Sequence, residues 1–244
     1  MIIRVPNHKR LNPKLWNGDG SLRPETYNVI NNIVVSVISS LSTFSKIPVD
    51  LEKDIVDVII CGSSVNYFYK KYSDLDIKIV VRPDRYLKKM NMETYKVFSK
   101  FVSSHFVKKY SPSVCGVLVD VGIVGEILEI EKYSFNQKKW LIKPTRLTSD
   151  EIKYIRKRTR IYYLAMRKMI KSILKDKKRY KEAGELYGYM RARRKQSWDE
   201  RFSNRTPFSL AFSYLSHDGF FKKLLKAQEI YIKNMMTDIN CNPS

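Results

Sequence analysis

The 244-residue sequence is short of cysteine, histidine and acidic side chains. It has 3 cysteines, 3 histidines and 24 Asp and Glu, against 46 Lys and Arg. Cys61, Cys115 and Cys241 are scattered and odd in number, which excludes a disulfide framework and the ligand spacing of a zinc site. The histidines lie far apart in the sequence, so we interpret each as a core or surface residue rather than a metal ligand. A reducing compartment, the cytoplasm, is therefore expected.

Long apolar runs are also missing. No run reaches the length of about 18 residues that a membrane-spanning helix needs. The first 20 residues, MIIRVPNHKRLNPKLWNGDG, lack the apolar core of a signal peptide. We therefore expect neither a membrane span nor a membrane partner.

The excess of basic residues is the first positive signal. The formal net charge is +22, and such a field attracts polyanions and speeds their encounter with the protein. Residues 151–195 hold 17 Lys and Arg against 4 Asp and Glu, so +13 of the charge lies there. Charge alone does not distinguish a protein that binds nucleic acid from one whose basic surface is only well solvated.

The pattern along the chain predicts an α/β (α+β) fold: a small mixed sheet backed by helices, followed by a helical basic C-terminal lobe. We assign 1–50 to an N-terminal arm and helix, 51–147 to the core and 148–244 to the lobe. Pro83 and Asp84 predict the start of the second helix. The predicted helices of the first two segments are 24–44 and 83–109, and the predicted strands are 57–60, 75–81 and 116–124, with further strand and turn up to 144.

From residue 148 onwards the periodicity is helical. Thr148 or Ser149 is a suitable N-cap, and a break is expected at 217–219. One apolar stripe is predicted on the first of these helices, made of Ile152, Ile155, Tyr162, Met166, Met169 and Ile173.

Two aspartates interrupt the apolar segment SDLDIKIVV. Residues i and i+2 of a strand point to the same side, so Asp74 and Asp76 are expected to lie close together. Such a pair needs a neighbouring cation. Salt bridges to Lys70 or Lys71 are one solution. The other is Mg²⁺, which binds carboxylate oxygens together with water and phosphate.

A third carboxylate would complete a two-metal site. Asp120, in the middle of GVLVDVGIV, supplies it if its strand lies beside that of Asp76. If Asp120 points to the other side of the sheet, Glu126 or Glu129 takes its place.

A Gly-Ser turn follows the first predicted strand. Gly62 would let the backbone approach a phosphate, and Ser63 and Ser64 would supply N–H and hydroxyl donors. Taken alone, this pair is also typical of an ordinary turn. The aromatic side chains of the spacer that follows, Tyr67, Phe68, Tyr69 and Tyr72, suit either base stacking or packing of the loop.

Together these residues resemble the signature of the polymerase-β-like nucleotidyltransferase superfamily. That signature is an apolar residue, Gly, and Gly or Ser, then a spacer, then Asp-h-Asp/Glu-h, where h is apolar. It is matched here by Cys61-Gly62-Ser63 and by Asp74-Leu75-Asp76-Ile77. Four segments are further similar to nucleotidyltransferases encoded by large tailed bacteriophages: LNPKLWNGDGSLRPE, GSSVNYFYKKYSDLDIKIVV, NQKKWLIKPTR and FSLAFSYLSHDGFFKKL.

The resemblance implies a fold, an activity and a set of site residues. It implies transfer of a nucleoside monophosphate from a nucleoside triphosphate to a hydroxyl, with release of pyrophosphate, and it implies Mg²⁺ or Mn²⁺ at Asp74, Asp76 and Asp120. Gly62, Ser63 and Ser73 would position the phosphates.

Three acceptors or roles remain open at this point. The basic lobe favours a nucleic-acid end, of RNA or tRNA, as the acceptor. Transfer to a protein or small-molecule hydroxyl is the second possibility, and a non-catalytic nucleic-acid-binding or virion-associated protein is the third. Arg191, Arg193 and Arg194 are the candidate phosphate contacts. At most two of them can face one way, because neighbours on a helix diverge by about 100°.

Overall fold

The computed structural model describes residues 3–45, 50–70, 73–82, 91–125, 131–197 and 206–241. The chain forms two compact units. The sheet unit is Pro6–Arg146, and the helical unit combines Met1–Val5 with Leu147–Ser244. The arm and first helix that the sequence set apart as 1–50 thus belong, from Pro6 onwards, to the sheet unit.

The sheet unit contains a six-stranded mixed sheet with helices on one side. The strands are β1 (Ile55–Cys61), β2 (Leu75–Val81), β3 (Ser113–Val114), β4 (Val117–Val124), β5 (Lys132–Ser134) and β6 (Lys139–Ile142). Their order is β3-β4-β2-β1-β5-β6, in which β2 and β4 are parallel and the other pairs are antiparallel. The helices are α1 (Pro24–Ser45), the short α2 (Leu51–Asp54) and α3 (Met92–Tyr110). The predicted α/β class is confirmed.

The core of the sheet unit lies between α1, α3 and one face of the sheet. Apolar side chains alternate along β2 and β4, so that every second residue enters the core. The predicted start of the second helix at Pro83 lies outside the described residues, and the described helix begins at Met92 with Asn91 as its N-cap. The core cluster includes Ile30, Val37, Leu41, Leu75, Ile77, Ile79, Val102, Phe106, Val119 and Val121.

The helical unit is built from four longer helices: α4 (Ser149–Lys175), α5 (Glu182–Gln196), α6 (Pro207–His217) and α7 (Phe220–Cys241). Thr148 and Glu151 form a reciprocal capping box at the start of α4. The predicted stripe on α4 is wrong at two positions, because Tyr162 and Met169 are exposed while Tyr163 is buried. The buried residues of α4 are Ile155, Thr159, Tyr163, Met166, Ile170 and Ile173.

None of the helices in the described part of the chain is long and apolar enough to cross a membrane.

Candidate functional site

Strand β2 carries charged side chains on the sheet face opposite the core. Leu75, Ile77 and Ile79 enter the core, so alternation turns Asp76 and Lys78 to the other side. Both of these side chains are only about a quarter exposed, at 24% and 26%. The sheet thus holds two charged groups in a partly buried position.

Asp120 joins them from the neighbouring strand. Strands β2 and β4 are parallel, and Asp76 is the register partner of Asp120. Val119 and Val121 enter the core, which leaves the Asp120 side chain on the same face as Asp76. Glu126 and Glu129, the alternatives to Asp120, lie outside the described residues.

Lys78 lies between the two carboxylates. Its Nζ is 3.7 Å from Asp76 Oδ1 and 3.5 Å from Asp120 Oδ2. Gly122 is the register partner of Lys78, and a Cβ at Gly122 would lie 3.0 Å from Lys78 Cδ. The missing side chain on β4 therefore leaves room for the lysine to reach both acids.

Sequence reasoning assigned Lys78 no role. A signal was present, because Lys78 follows Asp76 by two residues in a strand and so shares its face. The salt-bridge alternative had proposed Lys70 or Lys71 as partners. Lys78 is the cation observed beside Asp76, and Lys71 lies outside the described residues.

Burial raises the pKa of Asp76 to about 7. The Lys78 ammonium opposes this shift, whereas the charges of Asp74 and Asp120 add to it. One lysine therefore does not compensate for the desolvation of this carboxylate and the repulsion from its two acidic neighbours.

The side chain of Asp74 does not follow the strand alternation that was predicted for it. Strand β2 begins at Leu75, so Asp74 precedes the strand and its side chain is exposed. It acts on Asp76 through its charge. Strand alternation therefore applies to Asp76 and Lys78 but does not set the direction of Asp74.

Position 62, next to Asp76, requires a glycine. Its φ is +78°, and a Cβ at this position would lie 2.0 Å from Asp76 Oδ2. The register explains the approach, because Cys61, the last residue of β1, is the partner of Asp76. Burial raises the pKa of the Cys61 thiol to about 12, which makes this cysteine a poor nucleophile.

The three serines predicted to hold phosphate differ in placement. Ser64 is buried in the 3-10 turn Gly62–Val65, and its hydroxyl donates to the Cys61 carbonyl at 3.3 Å. The Ser73 hydroxyl accepts the Lys70 N–H at 2.8 Å and so closes its own loop. Ser63 is half-buried beside Gly62. Of the three hydroxyls, those of Ser64 and Ser73 are engaged in holding the loop.

The three arginines predicted to contact nucleic acid also diverge. Arg191 and Arg193 are exposed on α5. Arg194 is half-buried, and its guanidinium lies 5.1 Å from the centre of the buried Phe212 ring. Arg194 follows Met190 by four residues, on the inner side of α5, so it packs within the helical unit.

Within the described ranges, no three His, Cys, Asp or Glu residues form a group arranged to hold a metal ion. Comparison of the chain with models of known protein families, with curated proteins and with solved structures finds no match in any of the three. We therefore infer the function from the residues themselves.

Proposed function

We propose that this protein is a metal-dependent nucleotidyltransferase that moves a nucleoside monophosphate from a nucleoside triphosphate to a hydroxyl acceptor. The observation that supports this most strongly is the register pairing of Asp76 with Asp120, directly beside Gly62. Two carboxylates from adjacent strands and a glycine turn at the same end of β2 match what the sequence resemblance implies.

The residues fit a divalent cation. Asp76 and Asp120 offer hard oxygen donors on one face, with Asp74 nearby, and Mg²⁺ and Mn²⁺ prefer such ligands. The raised pKa of Asp76 means that one ammonium leaves this carboxylate insufficiently stabilised in its ionised form. When bound, the metal would lower the pKa of the attacking hydroxyl and neutralise charge on the phosphates.

The chain's own residues have separate roles in this proposal. The backbone at Gly62 and the Ser63 hydroxyl approach the phosphates, since a glycine admits a close backbone contact. Lys78 supplies a positive charge on the same face. In the reaction the acceptor hydroxyl loses its proton to water, and its oxygen forms a bond to the α-phosphorus. The bond from that phosphorus to the bridging oxygen breaks, and pyrophosphate leaves.

The acceptor we propose is a nucleic-acid end. The helical unit holds 24 Lys and Arg against 10 Asp and Glu, a larger excess than transfer to a small molecule needs. The exposed Arg191 and Arg193 belong to this excess, whereas the packed Arg194 is withdrawn from the proposed contact set.

One observation favours a second candidate. A lysine between two acids is also what a structural charge cluster contains, as in a non-catalytic nucleic-acid-binding protein. The two candidates differ in whether divalent cations bind at Asp76 and Asp120.

The test is incubation of the protein with each labelled nucleoside triphosphate, with Mg²⁺ or Mn²⁺, and with RNA. Labelled product is expected, and Asp120→Asn should lower its rate by roughly 100-fold or more. Asp150→Asn, at an exposed acid on α4, is the matched control and should retain the rate. Manganese titration followed by electron paramagnetic resonance gives a second readout. Full turnover in Asp120→Asn would contradict the proposal, and failure of Mn²⁺ to bind would favour the second candidate.

A further inference from the structure

A basic cleft of about 270 Å³ lies within the sheet unit, away from the strand residues of the carboxylate site. Two aromatic rings, those of Tyr67 and Trp140, form part of its wall. Four cationic side chains also line it: Lys9, Arg10, Lys143 and Arg146.

The walls of this cleft are held in place. Arg146 donates a hydrogen bond to the Lys9 carbonyl, and its guanidinium lies 5.0 Å from the centre of the Tyr67 ring. The His8 N–H donates to the Tyr67 carbonyl at 2.8 Å. Trp140 Nε1 donates to the Gly20 carbonyl at 2.9 Å. Segments distant in the sequence are thus fixed around one space before any ligand binds, which lowers the entropic cost of binding.

The charge in this cleft is poorly balanced. Asp19 is its one lining acid, and its carboxylate already accepts the Ser21 N–H and hydroxyl at 2.9 and 2.7 Å. Among the described residues, no carboxylate forms an ion pair with any of the four cations. An anion with several oxygen atoms is the ligand that such a site attracts.

The end of β6, beside the cleft, lies at the same edge of the sheet as the end of β1, beside Asp76. Strand β6 runs parallel to β1, because both are antiparallel to β5. Lys143 and Arg146 therefore follow β6 at the edge where β1 ends in Gly62. Trp16 connects the two places: its Nε1 donates to the Ser64 carbonyl at 2.9 Å, and its ring stacks on Trp140 with centroids 4.9 Å apart.

We infer that this cleft binds one phosphate-bearing nucleotide of a single-stranded nucleic acid, the acceptor strand. Lys9, Arg10 and Lys143 contact its phosphates, and the ring of Trp140 or Tyr67 contacts its base. The volume of about 270 Å³ is just below the usual range of ligand pockets, roughly 300–1,000 Å³, which suits one nucleotide rather than a duplex. Stacking on a ring tolerates any base, so we expect little sequence preference. The inference rests on the proposed function only for the statement that this strand is the acceptor.

The test measures binding of a fluorescently labelled single-stranded oligoadenylate to the full chain by anisotropy, with no nucleoside triphosphate present. The variant is Arg10→Gln with Lys143→Gln, which leaves the structural Arg146 in place. Lys100→Gln with Lys108→Gln, at exposed lysines of α3 in the same unit, is a control with the same change of charge.

The cleft variant is expected to bind about 10-fold more weakly at moderate salt than the wild-type chain. The magnitude of its slope of log affinity against log salt should decrease by about 1.4. The variant removes two phosphate contacts, and each contributes about 0.7 for single strands. The control should change both quantities much less.

Equal losses in the two variants would overturn the inference, because they would show a general effect of charge. A cleft variant that binds ATP more weakly but the oligonucleotide normally would also overturn it, and would assign the cleft to the incoming nucleotide. Absence of transferase activity with the expected binding difference intact would count against the proposed function alone.

Discussion

Several acids of the helical unit and two acids on the sheet face of the other unit are used in different ways. In the helical unit, Glu151 completes the capping box of α4, and Asp176 accepts the Lys178 N–H at the turn that follows this helix. Asp218 accepts the Tyr163 hydroxyl at 2.6 Å, which ties the end of α6 to α4. Glu182 pairs with Arg179 at 2.6 Å. Each of these acids holds a helix end or joins two elements.

Asp76 and Asp120 in the sheet unit cap no helix, and both lie beside the same lysine, Lys78. They share a partly buried sheet face, and burial opposes ionisation of Asp76. The negative charge of Asp76 therefore opposes folding rather than favouring it. Acids whose ionisation costs stability are typical of functional sites, so this contrast, more than the basic charge common to both units, supports the sheet face as the proposed site.

The largest effect is expected from Gly62→Ala. The positive φ and the 2.0 Å approach to Asp76 Oδ2 leave no room for a methyl group. We expect a loss of roughly 2–4 kcal/mol in the free energy of unfolding, measured by urea denaturation. Adding Asp76→Ala removes the two nearest atoms and should recover part of the loss. Additive losses in the double variant would show that the contact with Asp76 does not matter.

Tyr163→Phe tests what Asp218, an acid of the helical unit, contributes to stability. Loss of the hydrogen bond to the Asp218 carboxylate should cost about 1–2 kcal/mol. Tyr154→Phe, at an exposed position of the same helix, is the control and should cost little.

The same pair of variants gives a pH test. Burial, and then the hydrogen bond to Asp218, raise the pKa of Tyr163 from 10.0 to about 12. The folded state therefore retains this proton at pH values where the unfolded state has lost it, and the stabilisation disappears as the pH rises from 10 towards 12. Subtracting the stability of Tyr163→Phe from that of the wild-type chain isolates this term. A difference that does not change with pH in this window would show that folding does not raise the pKa of Tyr163.

Lys78→Met should lower the stability less than Gly62→Ala does. It should also strengthen the binding of metal. Without the ammonium, Asp76 and Asp120 repel each other, and we expect a loss of about 1 kcal/mol at pH 8, kept small because Asp120 is about half exposed. Mn²⁺ should then stabilise the variant more than the wild-type chain, because Lys78 no longer competes for the carboxylates.

Lys78→Arg keeps the charge and is the control for this variant. Thermal unfolding with and without Mn²⁺ provides the measurement. Equal stabilisation of all three chains by Mn²⁺ would show that the ion binds elsewhere.

The smallest effect is expected in the helical unit, and it has the opposite sign from that of Gly62→Ala. A Cβ at Gly188 on α5 meets nothing within 4 Å, so Gly188→Ala should stabilise the chain by about 0.5–1 kcal/mol. Gly184→Ala on the same helix should gain less, since its Cβ would lie 2.3 Å from Gln228 Nε2 and that side chain must move. Denaturation midpoints of the two variants check this, and equal gains would show that Gln228 does not restrict the position.

The stripe on α4 shows where local sequence patterns mislead. The buried positions follow a regular spacing that passes through Thr159. Thr159 is polar, so a stripe of apolar residues alone omits it and includes Tyr162 and Met169. Both of these residues are exposed. Only the packing partners decide which side of a helix with apolar residues on several faces becomes the inner one.

Local sequence pattern was enough to predict the strands around Asp76 and Asp120, because alternating apolar residues specify both a strand and its core face. The Gly-Ser pair at the end of an apolar run also predicted the turn that follows β1 at Gly62–Val65. The tertiary structure alone decided that Asp76 and Asp120 are register partners, that Lys78 reaches both, and that Arg194 turns inward. Those facts depend on pairing and packing between residues far apart in the chain, and periodicity within one segment carries no information about the partner of that segment.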